Sequence, residues 1–148
     1  MKKTIIILML FFATMVNAQV YNPVKWTTSV VKISDSEYKL TATATIQKGW
    51  HLYSQTVPQD GPIATKFSFA GSSDYLKKGN TIEDQGHIVN DPVFDMKITY
   101  FEKKANFVQR IKVKNKKPFQ IKANVEFMAC DDTKCLPPQQ VELTFKIK

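Results

Sequence analysis

Apolar and polar residues alternate with a period of two along most of this chain. Tyr38, Leu40, Ala42, Ala44 and Ile46 alternate with Lys39, Thr41, Thr43 and Thr45. Phe107, Ile111 and Val113 keep one phase across Val108-Gln109-Arg110. Phe119, Ile121, Ala123, Val125, Phe127 and Ala129 form the longest register, and Val141, Leu143, Phe145 and Ile147 close the chain in the same style. Successive side chains of a strand point to opposite faces, so each run predicts a strand with one buried face. Weaker strands are expected over 24–33 and 65–69. Residues 98–101 are expected to pair with 105–113 through the turn Glu102-Lys103-Lys104.

Turn-forming residues separate the runs: Ser34-Asp35-Ser36, Gln59-Asp60-Gly61-Pro62, Gly71-Ser72-Ser73-Asp74 and Asn115-Lys116-Lys117-Pro118. No stretch keeps a helical period, and 74–78 reads at most as a short turn. About seven short strands with one apolar face each must bury those faces against a second sheet. The expected fold is all-β, an immunoglobulin-like antiparallel β-sandwich, without the facing cysteines and intervening tryptophan of antibody domains.

The first residues do not fit this pattern. Lys2 and Lys3 precede an apolar run over 4–16, too short for a comfortable membrane span, and Val16-Asn17-Ala18 supplies small residues for a signal peptidase. Residues 1–18 are therefore expected to be a signal peptide cleaved after Ala18. That leaves 130 of the 148 residues, 19–148, as one domain. No cysteine lies near the cleavage site to carry a lipid, and the mature chain is expected to be soluble in the periplasm. The two leader lysines go with it, so net charge falls from +8 to +6. An exported chain has little access to nucleic acid, and none is expected as a partner. Lys112, Lys114, Lys116, Lys117 and Lys122 mostly alternate with apolar residues, as the solvent face of a strand would.

The candidate chemistry lies in Cys130 and Cys135, the only cysteines, with four residues between them. In an oxidising compartment they are expected to pair. Phe127 and Ala129 belong to the core face, so Cys130 should turn to the opposite face, at the end of a strand and within reach of solvent. Pro137 and Pro138 cannot donate to a ladder, which delays the return strand to about Gln139 at a sheet edge. A bond closing so short a loop restrains the unfolded chain by only about 2 kcal/mol in the chain-entropy model. Asp131 and Asp132 disfavour a thiolate on Cys130, whereas Lys134 favours one on Cys135. Cys135 is thus the candidate nucleophile and Cys130 the resolving cysteine. On residue types alone a plain structural disulfide remains the alternative, which would make the chain a secreted immunoglobulin-like binding or adhesion module. Metal is a poor reading, because His51 and His87 lack ligand spacing and read as surface or loop residues. There is no Gly-rich phosphate loop and no GxSxG, and no cofactor is expected.

Cys130-Asp131-Asp132-Thr133-Lys134-Cys135-Leu136-Pro137-Pro138, after the strand Asn124-Val125-Glu126-Phe127, resembles the active-site hairpin of the N-terminal periplasmic domain of the thiol:disulfide interchange protein DsbD. Gly49-Trp50-His51-Leu52-Tyr53-Ser54-Gln55 is similar to that domain's Gly-aromatic-aromatic-Leu-Tyr stretch, with His51 where a ring is usual. Asp91-Pro92-Val93-Phe94-Asp95, followed by Tyr100, falls where the family carries its cap loop. The resemblance implies an immunoglobulin-like disulfide relay whose second cysteine, here Cys135, makes the mixed disulfides. It implies a cap formed by Phe94 with Asp91 and Val93 beside it, and makes His51 and Tyr53 candidates for the site rim. The implied partners are thioredoxin-fold periplasmic proteins. The family's fused membrane and thioredoxin-like domains do not follow Lys148, so a separately encoded DsbD- or CcdA-like membrane protein is expected to donate electrons.

Overall fold

A computed structural model describes residues 21–148, and the expected signal peptide and its cleavage site lie outside these. Eleven strands and no helix occur among the described residues: β1 (Val24–Lys32), β2 (Glu37–Ile46), β3 (His51–Tyr53), β4 (Lys66–Phe69), β5 (Tyr75–Glu83), β6 (His87–Asp91), β7 (Met96–Phe101), β8 (Lys104–Val113), β9 (Phe119–Phe127), β10 (Ala129–Cys130) and β11 (Gln139–Ile147). All pairings are antiparallel. They make a four-stranded sheet ordered β1-β2-β8-β5, a four-stranded sheet ordered β10-β3-β7-β6, and a three-stranded sheet ordered β11-β9-β4. The architecture is the expected all-β, immunoglobulin-like class.

The alternating runs form the main core. Leu40, Ala42, Ala44 and Ile46 of β2 and Phe107, Ile111 and Val113 of β8 meet Ile121, Ala123, Val125 and Phe127 of β9 and Leu143, Phe145 and Ile147 of β11. Leu52 and Phe101, paired across β3 and β7, join the same cluster. The core thus lies between the first sheet and the other two. Gln109 sits in the apolar phase of β8 and is buried. Its amide donates to the Lys78, Gly79 and Arg110 carbonyls at 3.3, 3.3 and 2.8 Å and accepts from Thr81 Oγ1 at 3.0 Å. Lys78, Gly79 and Thr81 belong to an irregularity in β5, where the register shifts between Lys78 and Ile82 and Gly79 takes a φ of 68°. The buried amide is therefore fully partnered.

Two expectations give way. Residues 98–101 do not pair with 105–113: β7 pairs with β3 and β6, and β8 with β2 and β5. The turn between them, with Lys103 at a φ of 62°, passes the chain from one sheet to another instead of closing a hairpin. Of residues 74–78 only Asp74 lies in a bend, and 75–78 start β5, an edge strand whose Leu76 and Ile82 are exposed. With lysines, a glycine and outward apolar residues, its sequence carries no core phase to read.

Candidate functional site

The longest register changes sheets at Met128. Phe127 ends β9 in the three-stranded sheet, and Ala129 opens β10 beside β3. Ala129 pairs with Leu52 and faces the main core, while Cys130 pairs with His51 and faces the other side. Cys130 does take the face its phase predicts, but that face is not open to solvent. It holds a second cluster of Tyr53, Ile98 and Cys130, against which Phe94, Met96, Tyr100, Met128 and Cys135 pack. Cys130 is accordingly 0% exposed. Strand β3, between β10 and β7, is covered on both faces, and all three of its residues are buried.

Cys130 and Cys135 form a disulfide, with Cα atoms 4.0 Å apart across a separation of five. They also bridge as an antiparallel pair. The turn between them is closed by Asp131 N–H donating to Lys134 O at 2.9 Å, with Leu136 N–H donating to Ala129 O at 2.9 Å beyond it. Asp131 Oδ1 accepts from Thr133 N–H, Thr133 Oγ1 and Lys134 N–H at 2.9, 2.8 and 2.9 Å. These bonds, the Thr133 backbone one first, hold the Asp131 carboxyl below its ordinary range. Asp131 thus builds the turn. Cys135 is partly exposed, Pro137 and Pro138 lie outside any strand, and β11 starts at Gln139 on a sheet edge.

Asp91 to Asp95 form the turn from β6 to β7, with Asp91 paired to Met96. Asp91 is 2% exposed. Its Oδ1 accepts Val93 N–H and Phe94 N–H at 2.9 and 3.2 Å, and its Oδ2 accepts the Tyr53 hydroxyl at 2.8 Å. Phe94 meets Tyr53 edge-on with ring centres 6.0 Å apart and packs on the cluster that holds Cys130. Val93 is 40% exposed at the rim. Burial, then the bond to Asp91, raises the Tyr53 hydroxyl well above the ordinary phenol range. Tyr53 is a floor residue, fully buried, rather than a rim residue.

His51 is also buried and is not the surface or loop histidine its isolation suggests. It stacks on Tyr100 with ring centres 4.3 Å apart, and its Nε2 lies 3.0 Å from Asp132 Oδ1. His87 is exposed at the start of β6. The cysteines, Asp91, Phe94, Tyr53 and His51 thus converge on one sheet face. Tyr100, Glu102 and Asp132 complete it. Asp132 reads from sequence only as a neighbouring charge, and the stack of Tyr100 on His51 depends on the β3–β7 pairing, which no local pattern reveals. Burial raises the Tyr100 hydroxyl, with Glu102, Asp132 and Asp91 adding to the effect.

The fold agrees with what comparison with known proteins finds. No curated protein matches the sequence. Among solved structures, the DsbD N-terminal domain of Neisseria meningitidis in its reduced form superposes with a TM-score of 0.53 at 13% identity, covering 80% of this chain and 82% of that one. The N-terminal periplasmic domain of ScsB from Proteus mirabilis gives 0.62 at 14% identity, covering 88% of this chain and 48% of that one. At such identities the likeness is one of fold. The sequence itself matches the family described as thiol:disulfide interchange protein DsbD, N-terminal, over residues 21–146. The match spans both cysteines and the turn from Asp91 to Asp95, and this chain belongs to the DsbD N-terminal domain family.

Proposed function

We propose that this chain is a periplasmic electron relay, a cofactor-free thiol:disulfide oxidoreductase of the protein-disulfide reductase type. A thiolate of a reduced donor attacks Cys135 Sγ. The new bond is a mixed disulfide, the Cys130–Cys135 bond breaks, and Cys130 leaves with the electron pair. The donor's second thiol then closes the donor's own disulfide and releases Cys135. Two electrons and two protons have moved to this chain. Onward transfer runs the same steps in reverse, with Cys135 attacking an oxidised acceptor and Cys130 resolving. The donor is a DsbD- or CcdA-like membrane thiol transporter, and the acceptors are thioredoxin-fold proteins. The turn carrying Phe94 shields the dithiol from stray oxidants through sulfur–aromatic contact and exclusion.

The observation that carries this reading is the asymmetry of the bond. One cysteine is fully buried in a cluster with Tyr53, against which Phe94 packs, the other is partly exposed at the end of the turn, and both lie outside the main core. A structural bridge in a binding module has no use for that arrangement, and joining neighbours in one hairpin restrains the chain little.

A redox titration in dithiol/disulfide buffers, read by mass after thiol trapping, tests it. A potential of about −180 to −270 mV fits an exchange protein, and a bond still oxidised below about −300 mV returns the chain to the binding-module class. With an exchange potential in hand, Cys130→Ala should accumulate mixed disulfides through Cys135, and Cys135→Ala should not.

A further inference from the structure

We infer that His51 is a positioning residue for exchange at the disulfide, and that its proton controls how readily Cys130 leaves when Cys135 is attacked. This deepens the exchange reading and rests on attack at Cys135.

The geometry is specific to the imidazole. His51 and Cys130 are direct partners across β3 and β10. Their side chains share one face, where the Cβ atoms of such a pair stand roughly 4.5–5.5 Å apart. The His51 side chain is 7% exposed. Its Nε2 meets Asp132 Oδ1 at 3.0 Å, on the turn that joins the two cysteines. Its Nδ1 faces Glu102 Oε1 at 3.6 Å. That distance is too long for a hydrogen bond, and Nδ1 has no other partner although it is buried. A neutral ring has one N–H and can donate toward one carboxylate, leaving a lone pair aimed at the other. A charged ring donates toward both. The imidazolium therefore ties the cysteine turn to the turn after β7, and sets a positive charge beside Cys130.

The other groups around the ring do not reverse the sign. Asp132 and Glu102 have side chains 78% and 47% exposed. Both reach solvent, and water screens them. Tyr100 stacks on the ring, Tyr53 lies two residues along β3, and both phenols are pushed up and remain neutral. His87 pairs with Tyr100 from β6 and is exposed. Protonating His51 thus adds one positive charge on the cross-strand partner of Cys130, whose sulfur must leave as a buried thiolate. A nearby positive charge favours the thiolate, and a better leaving thiol leaves faster.

The test is reduction of the purified oxidised protein by dithiothreitol, with the rate constant expressed per reductant thiolate so that the reagent's own titration drops out. The reductant thiolate bonds to Cys135 Sγ, Cys130 leaves with the electron pair, and the reductant's second thiol closes its ring. From about pH 5 to about pH 8, the range in which imidazoles change charge, the wild-type constant should fall. The expected fall is about three-fold or more. His51→Phe keeps a ring against Tyr100 without the charge, and His51→Gln keeps a donor toward Asp132 without the charge. Both should give flat profiles. A flat wild-type profile overturns the inference, and so does a fall that survives in either variant, which would place the titrating group elsewhere, for example at His87. Dithiothreitol needs no protein partner, so this result stands apart from the potential that decides the relay itself.

Discussion

The Tyr53 hydroxyl donates to Asp91 at 2.8 Å, while the second oxygen of that carboxylate holds the backbone of Val93 and Phe94. One buried carboxyl group thereby fastens strand β3 to the turn whose Phe94 packs on the cluster that holds Cys130. Asp91→Ala strips three donors of their acceptor. It should lower stability by about 3 kcal/mol in urea unfolding, because buried polar groups left unpaired keep their desolvation cost. It should also speed reduction by glutathione. Lost stability with an unchanged reduction rate would mean the turn does not guard the disulfide.

Phe94→Ala separates the shield from the fold. Phe94 is only partly buried, so the cost should fall below the about 3–5 kcal/mol of a fully buried phenylalanine. Phe127→Ala is the counterpart, in the main core and 0% exposed, and should cost the full amount. Compared at equal native fraction, reduction of the bond should accelerate in Phe94→Ala and not in Phe127→Ala. Equal rates in the two variants would make Phe94 a packing residue and nothing more.

The parts of this site legible in the sequence are those that follow local rules. The period of two places Cys130 opposite Phe127 and Ala129, and the two prolines delay β11 to Gln139. What stays hidden is tertiary. That the far face at Cys130 is buried depends on a turn some forty residues earlier and on Tyr53, neither of which leaves a mark in the 127–138 stretch. The burial of His51 likewise follows from β3 lying between β10 and β7. The resemblance to the family supplied the turn at Asp91 and Phe94, but not the acid pair at Glu102 and Asp132. The β7–β8 hairpin misleads because a short polar turn between two apolar runs reads the same whether the chain pairs with itself or changes sheets.

The disulfide should matter little to the fold. With five residues of separation, the chain-entropy model gives about 2 kcal/mol. Reduced protein, or the Cys130→Ala, Cys135→Ala double variant, should unfold in one cooperative transition with a modestly lower urea midpoint. Loss of the folded state on reduction would assign the bond to structure and count against the relay.

Alkaline pH gives a separate handle on the floor of the site. Burial and the bond to Asp91 keep the Tyr53 phenol protonated in the folded state beyond the range where it ionises in the unfolded chain. The free phenol loses its proton near about pH 10. Below that value both states hold the proton, and the contribution of Tyr53 is fully present. Above it the unfolded chain binds fewer protons than the native one, so stability falls as pH rises, by up to about 1.4 kcal/mol per pH unit for one such group. Tyr53→Phe removes the phenol and should make the alkaline limb of the stability curve shallower by up to that slope. Part of the fall should persist, since burial also raises Tyr75 and Tyr100. At neutral pH the variant should be less stable by about 1–3 kcal/mol, because Asp91 loses a donor in a buried site. The crossing of these effects is the diagnostic. Urea midpoints of wild type and Tyr53→Phe should converge as pH is taken above about 10, and parallel curves would mean the phenol ionises in the native site.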